Sequence, residues 1–202
     1  MNVARLREFR VLDGRTIRTG LFKEPVDGPV MARRGGLEGD AIGDPSVHGG
    51  EAKAVYAYSR RDVEWWEGEL GRQLEEGFFG QNLTLDGLDA SEGVVGERWR
   101  IGGALFEVAA PRLPCFKLAA RVGERGFEKR FGDARRPGAY LRVVEEGELR
   151  VGDAVEPVER PAHGVTVTMV SRALLGDKEL REQLADAARL DEGLRAHLER
   201  SR

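Results

Sequence analysis

Residues 98–118, which decide the fold class, read RWRIGGALFEVAAPRLPCFKL. Arg98–Ile101 and Ala104–Ala109 are short stretches of mixed apolar and polar residues, and each predicts a strand. The Gly102-Gly103 pair between them is typical of a tight hairpin. Two prolines then fix the backbone and prevent further ladder pairing. The stretch therefore predicts a β-hairpin that ends in a stiff loop carrying Cys115.

Short apolar stretches separated by turn signals continue through the chain. The 27 glycines are spread along it without a period, and this is roughly twice the average usage. Many short strands with frequent turns are typical of a barrel, because closure removes exposed sheet edges. We therefore predict a mainly β (α+β) fold, a β-barrel with capping helices. Besides the hairpin, the predicted strands are 16–22, 30–33, 54–58, 139–144, 154–158 and 165–170.

The clearest predicted helix begins at Ser59. Ser59 and Asp62 have the spacing of a capping box, with the shorter acid in the second position. The apolar residues from Val63 to Leu74 then follow at helical spacing. This pattern predicts one amphipathic helix beside the barrel.

The composition changes from Ser171 onwards, where leucines and alanines recur with helical periodicity. Asp191 can cap a last short helix. The sequence thus predicts a barrel domain of residues 1–170 and a small C-terminal helical tail of residues 171–202. This tail can pack on the barrel or on a second subunit, which would give a homodimer.

Charge and cysteine content exclude several classes of protein. Of the 202 residues 41% are hydrophobic, so a core can form, and 32 basic residues against 35 acidic ones give a net charge of −3. A surface so balanced has no general attraction to nucleic acid or to a membrane. One cysteine cannot form an internal disulfide, and no apolar run is long enough for a signal peptide or a membrane span. We expect a cytoplasmic protein that binds neither nucleic acid nor membrane.

Cys115 is the strongest candidate for chemistry. Arg112 and Lys117 are close in sequence, and a nearby positive charge favours the thiolate over the thiol. The thiolate is the form that ligates a soft metal or attacks an electrophile. From these features alone, a buried packing residue remains the commoner interpretation of a free cysteine.

Two further segments have ligand-binding character. Gly49 and Gly50 would let the backbone approach a ligand closely, and His48 and Lys53 could donate hydrogen bonds to a phosphate or a pterin-like ring. The segment lacks the Walker and dinucleotide patterns, and an ordinary surface turn explains it equally well. Asn82 offers a donor and an acceptor, although a turn residue is its commoner role.

The order of these motifs resembles the MOSC family, the C-terminal domain of molybdenum cofactor sulfurases, and within it the stand-alone YiiM-like bacterial branch. The resemblance covers roughly residues 14–160. The motifs that carry it are GD at 39–40, HGGEAKAV at 48–55, FGQNLT at 79–84, VGE at 95–97, PRLPC at 111–115 and GAYLRV at 138–143.

The resemblance implies a MOSC-type β-barrel whose loops form a pocket for the molybdenum cofactor (molybdopterin). Cys115 matches the position of the family's proposed molybdenum ligand or sulfur carrier. Beside Cys115, His48 and Asn82 are implied as catalytic residues that orient cofactor or substrate. The implied cofactor-binding residues are Lys23, Asp40, Gly49, Gly50, Lys53, Thr84 and Arg112. The chain departs from the family pattern at Gln81, where relatives usually have a glutamate, and an amide cannot transfer protons.

By this resemblance the chain is a molybdenum-dependent oxidoreductase that reduces small N-hydroxylated compounds, such as N-hydroxylated bases. Because the sequence has no flavin or nicotinamide fingerprint and no iron–sulfur cysteine set, a separate electron-donor reductase is implied as a partner. Two alternatives stay open at this point. Cys115 could carry a persulfide as a sulfur carrier, or the barrel could bind a small molecule without catalysis.

Overall fold

The computed structural model describes residues 1–43, 49–190 and 195. Within these residues the chain forms thirteen strands and five α-helices. The strands are β1 (Asn2–Ala4), β2 (Arg7–Arg10), β3 (Thr16–Thr19), β4 (Lys23–Pro25), β5 (Val30–Arg33), β6 (Gly36–Leu37), β7 (Val55–Ser59), β8 (Leu83–Leu85), β9 (Arg98–Ile101), β10 (Ala104–Pro111), β11 (Ala139–Glu145), β12 (Gly147–Leu149) and β13 (Val155–Glu159). The helices are α1 (Arg60–Leu70), α2 (Phe116–Val122), α3 (Phe127–Asp133), α4 (Val167–Leu174) and α5 (Lys178–Leu190).

The largest sheet has six strands in the order β13-β9-β10-β11-β7-β8. Its neighbours are antiparallel except for the parallel pair β7 and β8. The sheet curls into a half-barrel around a core that includes Trp99, Phe106 and Leu141, all fully buried. Three smaller sheets, β12-β5-β6, β1-β4 and β2-β3, accompany it. The mainly β fold with helices is therefore confirmed.

The predicted hairpin is present as β9 and β10, with Ile101 opposite Ala104. Its turn requires glycine at position 102, where φ is 53° and a Cβ would lie 2.3 Å from the Asp153 carboxylate. Strand β10 extends to Pro111 and is buried along its whole length. A central strand that lies between two neighbours is shielded from solvent at both edges.

The prediction of a strand at 165–170 is wrong. Thr166 forms only an isolated bridge with Val94, and α4 begins at the next residue. The Thr166 hydroxyl accepts a hydrogen bond from the Met169 backbone N–H at 3.3 Å, which caps the helix. A short apolar run is buried in either conformation, so its apolar character could not distinguish strand from helix.

Helix α1 begins after Ser59 as predicted, but the capping box does not form. The Ser59 hydroxyl donates to one backbone group and accepts from another in the turn at residues 88–90. Asp62 pairs instead with Arg136 inside the protein. Burial raises the pKa of Asp62, and the Arg136 guanidinium opposes that shift. The capping positions are thus used for tertiary contacts.

A second, aromatic core lies under α1, α2 and α3. Trp66 stacks on Phe131 with ring centroids 5.8 Å apart and an angle of 4° between the planes. Phe79 and Phe127 complete the contacts around these two rings. This aromatic core supports the helix that begins directly after Cys115, and Cys115 itself packs against it.

Replacing Phe131 with alanine is expected to destabilise the protein by about 3–5 kcal/mol, the usual range for a buried phenylalanine. Phe116→Ala is the matched control, because Phe116 is 44% exposed and a surface substitution changes stability by about 0.5 kcal/mol or less. Chemical denaturation of both variants measures the difference. Equal losses of stability would contradict the assignment of Phe131 to the core.

The C-terminal helices pack on the half-barrel. Val170, Leu180 and Leu184 are buried and belong to the same core as the large sheet. The predicted boundary between the barrel domain and the tail, after residue 170, falls inside α4. The division of the chain into these two units stays a prediction. The predicted cap at Asp191 falls outside the described residues. In the part of the chain that is described, no helix has the length and apolar character needed to cross a membrane.

Candidate functional site

A cavity of about 100 Å³ lies where the loop after β3, the turn before β8 and the loop after β10 meet. Its walls contain many of the residues singled out from the sequence. Six of them line it: Lys23, Asp40, Lys53, Asn82, Arg112 and Cys115. The fold therefore brings together side chains that are as far as 92 positions apart in the sequence.

Cys115 lies at the boundary between the loop after β10 and helix α2. Its backbone is extended, with φ −140° and ψ 160°, and its carbonyl accepts the first backbone hydrogen bond of the helix at 2.9 Å. The residue is partly exposed. Cys115 therefore lies at the edge of the aromatic core and is at the same time part of the cavity wall.

Arg112 is the most unusual group in the site. It is only 5% exposed, yet its Nη1 has no hydrogen-bond partner in the described part of the chain. The guanidinium lies over the rings of Tyr56, at 5.7 Å, and Phe131, at 5.3 Å. Leaving a buried donor unsatisfied costs about 1–3 kcal/mol, and more when the group is charged. Such a group at a cavity wall is suited to bind an anion.

Lys23 and Asp40 form a buried ion pair on the opposite side. Their side chains are 9% and 6% exposed, and burial lowers the pKa of Lys23 while the carboxylate opposes that shift. Asp40 also accepts a hydrogen bond from the Ala4 backbone N–H at 2.7 Å. The charge of Lys23 is therefore already balanced inside the protein, unlike that of Arg112.

Asn82 joins this ion pair to the neighbouring strand. Its Nδ2 donates to Asp40 Oδ2 at 2.8 Å and to the Asn2 carbonyl at 3.2 Å. Its Oδ1 accepts from the Tyr56 backbone N–H at 3.0 Å. Both amide atoms are thus engaged within the protein, so the contacts indicate a positioning role for Asn82, and direct contact with substrate stays a prediction.

The other predicted positions are less central. Among described residues, Gly49, Gly50 and Thr84 are not part of the cavity wall. Gly50 has φ 95° and begins the 3-10 turn Glu51–Lys53, through which Lys53 reaches the cavity. The Thr84 hydroxyl contacts Gln81 Nε2 at 3.4 Å. His48 lies outside the described residues.

Gln81, the departure from the family pattern, is 1% exposed. Its Oε1 accepts a hydrogen bond from the Phe79 backbone N–H at 3.0 Å. The neutral amide thus stabilises the turn that carries Phe79 and Gly80 into the cavity wall. An acceptor is all that this contact needs, so a glutamine satisfies it.

Sequence reasoning did not select two tyrosines of the site. Tyr56 and Tyr140 face each other in the β7–β11 register, with ring centroids 5.2 Å apart, and both line the cavity. Burial raises the pKa of Tyr140, so its hydroxyl stays protonated at neutral pH. The signal that could have found them is their position in two adjacent buried strands, next to the motifs that were used.

Comparison with known proteins identifies the class of protein to which this curled β half-barrel belongs. The chain belongs to the MOSC family, whose domain model matches residues 44–156. It is 36% identical over 187 residues to the uncharacterized protein YflK of Bacillus subtilis, covering 91% of this chain and 85% of YflK. It is 32% identical to protein YiiM of Escherichia coli over 70% of this chain and 65% of YiiM.

Solved structures agree with this assignment. The crystal structure of YiiM from Geobacillus stearothermophilus matches 98% of this chain and 96% of that one, with a TM-score of 0.74 and 27% identity. A further relative is a protein of Gibberella moniliformis named "Reductase", 30% identical over 88% of this chain. The match spans 32% of that longer protein.

Proposed function

We propose that this chain is a molybdenum-cofactor-dependent oxidoreductase that reduces N-hydroxylated compounds such as N-hydroxylated bases. The observation that carries the proposal is the cavity that Cys115 shares with the buried Arg112, whose Nη1 has no hydrogen-bond partner among the described residues. The name "Reductase" of a relative that is 30% identical supports the direction of the reaction. The proposed setting is the cytoplasm, a reducing compartment that keeps Cys115 a free thiol.

The donor groups fit a cofactor of this kind. A cysteine thiolate is a soft ligand suited to a metal that is also held by sulfur. In the described residues no three His, Cys, Asp or Glu side chains converge on one point. Cys115 would therefore need further donor atoms from the cofactor to hold a metal.

Charge also fits a pterin cofactor with a phosphate group. Arg112, which lines the cavity, would bind the phosphate through its guanidinium, a group that matches phosphate geometry well. Lys53 reaches the same cavity and would add positive charge. Lys23, balanced by Asp40, would act by fixing the wall through Asn82 and Ala4.

When bound, the cofactor supplies the two-electron chemistry, and the chain supplies the enclosure. Reduction of R–NHOH to R–NH2 and water consumes two electrons and two protons. Tyr140 stays protonated at the cavity wall and can donate a hydrogen bond there. The buried rings of Tyr56 and Phe79 form an apolar part of the same cavity wall. The electrons would come from a separate reductase.

An assay with an artificial electron donor tests the proposal. Cofactor-loaded protein with reduced viologen, a one-electron donor, should convert an N-hydroxylated base to the amine and oxidise two viologens per base. Cys115→Ser should lose this activity. Val158→Ala should keep it, because Val158 is an exposed residue of β13 and is not part of the cavity wall.

Inert loaded wild-type protein, or full activity in Cys115→Ser, would contradict the proposal. The sulfur-carrier alternative gives a different signal. Intact-mass measurement would then find a labile added sulfur on Cys115, removed by a thiol reductant. Finding that adduct in cofactor-free, inactive protein would favour the carrier.

A further inference from the structure

Arg121 is buried although its sequence context predicts a solvated helix face. It lies in the last turn of α2, six residues after Cys115, in a run where basic and acidic residues alternate. Its side chain is nevertheless only 4% exposed. Burial lowers the pKa of Arg121 to about 10, so the group keeps its charge at neutral pH. A charge buried at this cost needs compensating contacts.

The compensating contacts are two backbone carbonyls on different loops and the Glu75 carboxylate, whose Oε2 lies 3.6 Å from Arg121 Nη2. Arg121 Nη1 donates to the Leu21 carbonyl at 2.8 Å and to the Gly77 carbonyl at 3.2 Å. The guanidinium also lies between two rings, 4.5 Å from the centroid of Phe22 and 4.8 Å from that of Phe78. One side chain therefore contacts both loops at once.

Both loops contribute residues to the cavity wall, and they pack closely against each other. A Cβ added at Gly80 would lie 2.8 Å from Leu21, and one added at Gly77 would lie 2.7 Å from Lys23. Leu21, Lys23 and Gly80 all line the cavity, whereas Arg121 does not. Arg121 therefore contacts the loops that form the wall without lining the cavity itself.

We propose that Arg121 is a positioning residue that holds the loops of Leu21 and Gly77 against the helix bearing Cys115, and so sets the opening of the cavity. Helix α2 and the two loops are joined by this single guanidinium. Replacing Arg121 therefore lets the walls separate although no side chain that lines the cavity is changed. The inference concerns the shape of the site and holds whether or not the cofactor proposal is correct.

Size-dependent labelling of Cys115 tests this inference on the purified chain. The rates of alkylation by iodoacetamide and by a bulky maleimide give a selectivity for the small reagent. Arg121→Gln should lower that selectivity about tenfold, within the hundredfold effect that a displacement of ~1 Å can cause. Arg121→Lys should restore part of it, because an ammonium can still donate to both carbonyls.

Arg125→Gln is the matched control, since Arg125 also donates to a loop carbonyl, that of Leu12, but is exposed. It should keep the wild-type selectivity. A thermal unfolding curve for each variant gives the range of temperatures in which that variant is folded. Wild-type selectivity in folded Arg121→Gln would overturn the inference. If that variant does not fold, unchanged selectivity in folded Arg121→Lys would overturn it, and an intermediate value would support it.

Discussion

Replacing Arg112 with methionine should abolish cofactor retention and leave the cofactor-free protein at least as stable as wild type. The guanidinium is buried, and its Nη1 has no hydrogen-bond partner in the described part of the chain. Removing it relieves about 1–3 kcal/mol of desolvation cost. The substitution also removes the contacts of the guanidinium with the rings of Tyr56 and Phe131, which are worth about 0.5–2 kcal/mol. The methionine side chain packs in the same place. We expect stability to rise by about 1 kcal/mol, or ~2–4 °C in Tm. Denaturation of the cofactor-free protein and pterin content after loading measure the two effects.

The control for this result is a partly buried arginine that has a carboxylate partner. Arg142, 14% exposed, donates to Glu107 at 2.6 Å. In Arg142→Met the buried Glu107 carboxylate keeps only the more distant contact with Arg98. The substitution should therefore destabilise the protein. Its cofactor content should stay normal. Opposite signs of the two stability changes are expected. A marked loss of stability in Arg112→Met would show that the arginine is structural.

Lys23→Met is expected to cost about 1–3 kcal/mol, because it removes the amine that donates a hydrogen bond to the Asp40 carboxylate, a contact that a deprotonated lysine keeps. Asp40 also accepts hydrogen bonds from Ala4 and Asn82, so the whole wall would loosen. Urea denaturation measures the loss. The double variant Lys23→Met/Asp40→Asn should recover most of it, since an asparagine keeps an acceptor and removes the charge.

The pH dependence of stability provides a second readout for this pair. Burial lowers the pKa of Lys23 below its ordinary value of 10.5. Between the lowered pKa and 10.5 the unfolded chain binds more protons than the folded one, so the free energy of unfolding rises with pH. The double variant should lack this increment. An equal rise in both proteins, or no recovery in the double variant, would contradict the role of the pair.

The sequence was sufficient for those parts of the fold in which local and tertiary preferences agree. The alternation and the Gly102-Gly103 turn gave β9 and β10, whose central position only reinforces the pattern. The apolar run at 165–170 was different, because burial satisfies it as strand or helix. Strands of two or three residues, such as β6 and β12, are too short for alternation to be visible.

The candidate site shows the same difference between what local sequence predicts and what tertiary contacts decide. Motif order alone predicted that Asp40, Asn82, Arg112 and Cys115 belong to one pocket. It could not predict which charges remain unbalanced, because the pairing of Lys23 with Asp40 exists only in the folded chain. Nor could it place Arg121 inside, since alternating charges predict a solvated face. Contacts between distant segments determine both features.

The central claim is that Cys115 holds a metal-bearing cofactor in this cavity. Molybdenum and pterin content, measured on wild type and Cys115→Ser made in the same molybdopterin-competent host, tests it most directly. We predict that wild-type protein carries both, in equal amounts, and that Cys115→Ser loses the molybdenum. Wild-type protein with neither component, or a serine variant that retains molybdenum at the wild-type level, would contradict the claim.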